Sequence, residues 1–277
     1  MKTDCHMHMI LDGRDWKAAI DRHRKKPDMA FIRKVLETYR QQGITYLRDG
    51  GDRWGAGAAA RSLAPEYGIT YRTPLAPLCK AGHYGAFIGL CYENMAAFAR
   101  LVVSQRQAGA DFIKIMISGL MDFDRAGVLT EEGLPADEIR ELIHIAHEEG
   151  MAVMAHANGA RTIEAAAEAG VDSVEHGAYQ DEASLAAMAE MGTVWVPTLS
   201  TVGNLRGKGR FDEKAVEAIL ESALERLSRY KGLVAPGTDA GAWAVPHGSC
   251  TEKDLLAMAG ITEQRLEQGI AVIKNKF

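Results

Sequence analysis

The first residues with usable chemistry come as a cluster: Asp4, Cys5, His6, Met7 and His8. His-x-His on a strand puts two imidazoles on one face, because side chains two apart point the same way. Two such rings can hold one metal ion. Four more residues of this kind sit in comparable settings. Lys114 lies inside the apolar run FIKIMIS, His156 in MAHANG, His176 in SVEHG and Asp239 in GTDAG. Each has a bland reading when taken alone. A lone strand histidine is most often a hydrogen-bonded core residue, Asp before Gly is a turn former, and Lys114 can snorkel its ammonium out of an apolar wall. Taken together, six such residues distributed over five strands point to a metal centre.

The elements that position them alternate. Short apolar runs are followed by amphipathic runs, and Gly often marks the change. FIRKVLETYRQQG reads as a helix stopped by Gly43, and PADEIRELIHIAHEEG as one with Pro and acids in its first turn. AAARSLAPEYG is a helix shortened by Pro65. Starting from KTDCHMHMI and ending at LVAPGTDAG there are eight strands, each followed by helix. This predicts an α/β fold with a parallel sheet, a (β/α)8 TIM barrel in a single domain over residues 1–277. An open doubly wound sheet is the alternative, but no G-x-G-x-x-G follows a strand, so a dinucleotide site has no support. Residues 11–30, 79–92 and 119–134 read as long loops on the side of the barrel where active sites form.

Composition narrows the function. The chain has 277 residues, 47% of them apolar and 25% charged, so a large core needs no disulfide or structural metal. The net charge of -5 without a basic stripe argues against nucleic acid and anionic membranes. No apolar run is long enough to span a bilayer, and the first residues lack a signal-peptide core. Cys5, Cys79, Cys91 and Cys250 are scattered, which suggests reduced thiols in a cytoplasmic protein. The expected partner is a small-molecule substrate.

The motifs D-C-H-M-H, DFIKI, MAHANG, SVEHG and GTDAG, in this order, resemble the amidohydrolase superfamily of metal-dependent hydrolases. GITYLRDGG, GHYG, VPTLS and the later His247–Gly248 pair are similar to its imidazolonepropionase-like and prolidase-like branch. The resemblance implies that His6, His8 and Asp239 hold one divalent ion and His156 and His176 a second. Lys114 then bridges them as a carbamate formed with carbon dioxide. Such ligands suit Zn foremost, and also Mn, Fe, Co or Ni.

The implied reaction is hydrolysis of a C–N amide bond: a cyclic amide, an N-acyl amino acid or a dipeptide such as Xaa-Pro. Asp239 serves as the proton-transfer group, and His83 points at the substrate carbonyl. Tyr84, Arg48 and Arg161 are further candidates for substrate binding. Arg48 can equally pair with an acid, and an exposed loop histidine is an even alternative for His83. The competing functions are a one-metal deaminase of a nitrogen heterocycle, a lactone or phosphoester hydrolase, and a metal-binding barrel without catalysis. Members of the branch usually add a small β-sandwich from residues flanking the barrel. It is expected to be missing here, which makes a homo-oligomer plausible. His144 and His147 read as solvated helix residues, His23 as part of an exposed basic run, and Cys5 as packed behind the first strand. His247 is expected to shape the loop after strand 8.

Overall fold

The computed structural model describes residues 2–277. Its nine strands are all parallel and form two hydrogen-bonded groups. The first runs β1 (Thr3–Met7), β2 (Tyr46–Asp49), β3 (Thr70–Arg72). In the second, β4 (Leu78–Lys80) lies between β5 (Leu90–Tyr92) and β6 (Ile113–Met116). β7 (Val153–Ala157), β8 (Ser173–His176) and β9 (Val194–Val196) then follow in order. Helices such as Met29–Gln41, Ala136–Glu148 and Glu213–Arg229 separate the strands. This is a TIM-barrel-like α/β fold, as the alternation predicts.

Two of the eight expected strands differ from expectation, and proline explains both. Pro74 and Pro77 interrupt the third strand, since neither can donate to a ladder. It becomes β3, paired with β2, and β4, paired with β6. The Asp111 N–H donates to Thr73 O at 3.0 Å and spans the seam between the two groups. The eighth strand, expected at LVAPGTDAG, contains Pro236 and makes only isolated bridges, Val234 with Trp195 and Ala240 with Met7. It still links β9 to β1. Trp195 N–H donates to Leu233 O (2.9 Å), and Cys5 N–H donates to Pro236 O (2.8 Å). Asp239 N–H and His8 N–H bond His6 O and Ala240 O, both at 2.7 Å. The buried Asp4 carboxylate fixes the same junction by accepting from Thr238 N–H (2.9 Å) and Thr238 Oγ1 (2.6 Å).

Most of the core lies between strands and helices, as in Ile113, Ile115, Ile139, Ile143, Val153 and Ile163. A smaller cluster sits around Cys5, Tyr46, Phe112, Met154 and Val194, with Ile273 and Phe277 packed on it. Cys5 is thus buried away from the His6 ring, as alternation requires. His23 departs from expectation. It is fully buried, accepts from Asp28 N–H through Nδ1 (3.1 Å), and meets the Phe31 ring edge-on. The basic residues around it conceal an apolar face of the Trp16–His23 helix. His144 and His147 are exposed, His147 bonding Asp172 at 2.9 Å. No helix among the described residues is long and apolar enough to cross a membrane.

Glu252 gives a stability test independent of the site. Burial pushes its carboxyl up to about 8, although Ser200 N–H (2.7 Å) and Ser200 Oγ (2.9 Å) donate to it and oppose the shift. The folded chain therefore holds a proton that the unfolded chain releases near the ordinary glutamate range. This contribution is full at acidic pH and is lost as pH rises toward 8. Each tenfold change in proton affinity is worth roughly 1.4 kcal/mol, so the effect amounts to a few kcal/mol. Glu252→Gln keeps the neutral shape, so its thermal midpoint should exceed wild type at pH 8 and converge with it near pH 5. Parallel melting curves at both pH values would contradict this.

Candidate metal centre and active site

His6, on β1, and His8, one residue beyond it, face Asp239 from the closing segment. His6 Nε2 lies 3.3 Å from His8 Nε2 and 3.3 Å from Asp239 Oδ1, and His8 Nε2 lies 3.2 Å from the same oxygen. All three are buried, and one ligand atom from each falls within 4.8 Å of the others. Two glycines make this approach possible. A Cβ at Gly50 would fall 2.2 Å from His8 Cε1, and one at Gly237 would fall 2.8 Å from His6 Cβ.

His156 on β7 and His176 at the end of β8 complete the ring of imidazoles. The His6 and His176 centroids are 5.1 Å apart and those of His156 and His176 4.5 Å. Three of the four rings have one nitrogen tied back, whereas His8 Nδ1 is buried without a partner among the described residues. His6 Nδ1 bonds Glu175 Oε2 (2.6 Å), His156 Nε2 bonds Gly119 O (3.1 Å), and His176 Nδ1 bonds Thr198 Oγ1 (2.7 Å). Such partners fix tautomer and ring orientation in metal sites. His176 and Asp239 also adopt positive φ, 67° and 55°. Strained backbone of this kind persists where surrounding structure enforces it, and it concentrates at functional sites.

The electrostatics suit cation binding. Burial, with Lys114 beside them, lowers His6 to about 4 and His156 to about 3, and holds His176 well below its ordinary value. Neutral imidazoles with free lone pairs are ligands, not competing cations. Burial also lowers Lys114, on β6, to about 8. Its Nζ is buried with no hydrogen-bond partner among the described residues. Burial would raise Asp239, but His6, His8 and Lys114 outweigh it and keep the carboxylate ionised. All six residues expected at the metal centre therefore line one cavity of about 850 Å³.

The expected substrate contacts divide. Tyr84 lines the cavity, its ring 4.8 Å from His156. His83 is turned toward Glu131, its Nδ1 meeting Glu131 Oε1, and does not line the cavity. Arg161 is exposed on the Ala160–Glu168 helix, outside the cavity. Arg48 is a correction. It is fully buried beneath the site, where Nη2 bonds Glu175 Oε1 (2.8 Å), Nη1 bonds Ser173 Oγ (2.9 Å) and Nε bonds Cys5 O (2.7 Å). Its guanidinium also stacks over Phe277 at 4.4 Å. No substrate carboxylate can reach it, and the acid-pairing alternative holds, with Glu175 as the acid. Burial would raise Glu175, but Arg48 and then His6 overcome this and hold it at about 2.

Glu175 was not among the expected residues, although an acid within the apolar strand VDSVEHG is a readable signal. All three expected loop regions reach the cavity, through Leu11, Arg14, Trp16, Tyr84, Phe87 and Leu120 to Asp124, but two are not wholly loop: 11–30 holds the Trp16–His23 helix, and 79–92 starts in β4 and ends in β5. Residues 201–211 and 241–243 add a further wall that the sequence did not announce. His247 does shape the loop after the closing segment, bonding Leu11 O through Nε2 (2.9 Å) and meeting Tyr39 OH through Nδ1 (3.3 Å).

A parallel, TIM-barrel-like α/β fold with histidine, lysine and aspartate side chains gathered in one cavity is an arrangement that could hold a metal ion. The amidohydrolase family profile matches residues 31–262, and the chain belongs to that family. It is similar to the ochratoxinase of Aspergillus niger, 26% identical over 274 residues, which cover 84% of this chain and 55% of that protein. It is also similar to an uncharacterized protein of Mycobacterium tuberculosis, 29% identical over 236 residues, covering 78% of this chain and 59% of the other. The chain thus spans little more than half the length of these relatives. Among solved structures, an Xaa-Pro dipeptidase with methionine bound in the active site superposes with a TM-score of 0.77 at 20% identity, covering 99% of this chain and 75% of the other. The crystal structure of A. niger ochratoxinase gives a TM-score of 0.74 at 22% identity, with coverages of 99% and 69%.

Proposed function

We infer that this protein hydrolyses a C–N amide bond at a binuclear metal centre. His6, His8 and Asp239 would hold one ion, His156 and His176 the second, and a carbamylated Lys114 would join them. The observation that carries this is Lys114: an amine with no partner, buried among the histidines, is costly unless something completes it. With its proton affinity lowered, neutral Nζ can attack carbon dioxide. An N–C bond forms, a proton leaves, and the repelling cation becomes an anionic ligand.

Bound divalent ions would supply Lewis acidity and a water of lowered pKa. The protein's part follows from its own groups. Asp239, held ionised, accepts the proton of the attacking water and returns it to the departing amine. Glu175, anchored by Arg48, keeps the His6 Nδ1 proton in place so that Nε2 presents its lone pair. Tyr84 and the apolar walls of the cavity exclude water and orient the substrate.

Cyclic amides, N-acyl amino acids and Xaa-Pro dipeptides are the proposed substrate classes. The names of the ochratoxinase and the Xaa-Pro dipeptidase support this reading. All four cysteines are free, consistent with a reducing cytoplasm. A second reading, a one-metal deaminase, is favoured by one observation: only His6, His8 and Asp239 converge closely enough to form a tight trio among the described residues. Metal analysis of protein prepared with Zn or Mn and bicarbonate, followed by an amide and dipeptide panel, separates the two. Two ions per chain with amide cleavage is the expected result. One ion with ammonia release from ring amines would replace this function by the second.

A further inference from the structure

The outer part of the cavity carries more aromatic surface than cleavage of a small amide requires, and an arginine with no ion-pair partner among the described residues lies against it. On one side a line of rings leads inward from the mouth: Trp16 to Phe87 (5.6 Å between centroids), Phe87 to Tyr84 (5.7 Å) and Tyr84 to His156 (4.8 Å). A second line joins Phe123, from the 119–134 region, to Phe211 at 5.2 Å and Phe211 to Trp243 at 5.8 Å. The Arg210 guanidinium lies 4.3 Å from the Trp243 centroid and 5.3 Å from that of Phe211.

Of the acids near this rim, Asp122 pairs with Arg125, while Asp15, Asp124, Asp212 and Glu213 keep their charge and accept from backbone N–H groups, none of them within ion-pair distance of Arg210. Nearby Arg206 pairs with Glu217, whereas Arg210 has no carboxylate partner among the described residues. An arginine stacked on aromatic faces has a flat, oriented fork with its donors unspent, suited to a carboxylate beside a planar ring. A cavity of about 850 Å³ also lies toward the large end of ligand pockets, which span roughly 300–1,000 Å³.

We propose that Arg210, Trp243 and Phe211 form a subsite for a planar aromatic group bearing a negative charge, the part of the substrate farthest from the scissile bond. The proposal rests on the hydrolase reading for the identity of that bond, but not for binding. Substrates are then aryl-substituted amides with an acidic group, and short aliphatic dipeptides are poor ones.

The test is equilibrium binding of 2-naphthoate, followed by tryptophan fluorescence, in the full chain with metal and after chelation. The neutral 2-naphthamide and the non-aromatic cyclohexanecarboxylate serve as controls. Chelation removes any binding of the probe carboxylate at the metal centre. The expected result is that naphthoate binds about tenfold tighter than either control in both forms. Arg210→Gln should remove the advantage over the amide, and Trp243→Leu the advantage over the cyclohexane acid. Arg210 is exposed, so its replacement leaves the fold intact. Equal binding of all three probes, or insensitivity to Arg210→Gln, would overturn the subsite. Selective naphthoate binding with no hydrolysis of any amide would keep the subsite and reject the hydrolase reading. Hydrolysis that favours short aliphatic dipeptides would do the reverse.

Discussion

Lys114→Met is expected to reduce bound metal from two ions per chain to one or none and to bring amide hydrolysis to background. Methionine nearly conserves volume, so the effect isolates the amine rather than the packing. Elemental analysis and activity, measured with added bicarbonate, provide the test. Full activity in the variant would contradict the bridging role. The same substitution should have the opposite effect on the metal-free fold. An amine buried without a partner costs about 1–3 kcal/mol, so its removal should raise the melting temperature after chelation. Loss of function with gain of stability is the signature of a group kept for chemistry, and a merely structural lysine would lose both.

Asp239→Asn is the second large effect. The backbone at Asp239 has φ of 55°, a region Asn tolerates as well as Asp does, so the change should not disturb the chain. His6 and His8 remain in place, and much of the metal should be retained. What disappears is the carboxylate proposed to accept and return the proton. Turnover should fall by roughly 10²–10⁴-fold, the usual range for a general acid–base group, with a smaller change in KM. Steady-state kinetics on whichever amide the panel identifies would measure it, and an unchanged kcat would remove Asp239 from the mechanism.

How much of this was legible in the sequence depends on the kind of signal. That the six proposed ligands would share one cavity was legible because they lie on or just beyond apolar strand runs, which the parallel alternation brings side by side. Strand breaks at Pro74, Pro77 and Pro236 were not anticipated. There proline left pairing to isolated hydrogen bonds rather than ladders, while the chain path stayed as expected. Arg48 and Glu175 show the limit of reading residues singly. Each is a charge on an apolar strand that sequence can flag alone, but only the fold, bringing β2 and β8 within reach, shows that they pair at 2.8 Å. His23 misled for the opposite reason, since its charged neighbours describe one side of a helix and it occupies the other. The wall at 201–211 carried no periodic pattern, so nothing local announced that it would fold over the mouth.

The junction between Asp4 and Thr238 joins positions 234 residues apart, and the first metal position is built across that junction. No partly made chain can hold His6, His8 and Asp239 together. Loop closure over so long a separation comes late, after the local βα units have formed. A metal held at this site would enter only after these distant segments meet, and a partly folded chain presents the two histidines without their aspartate. Refolding in the laboratory should accordingly add the metal last.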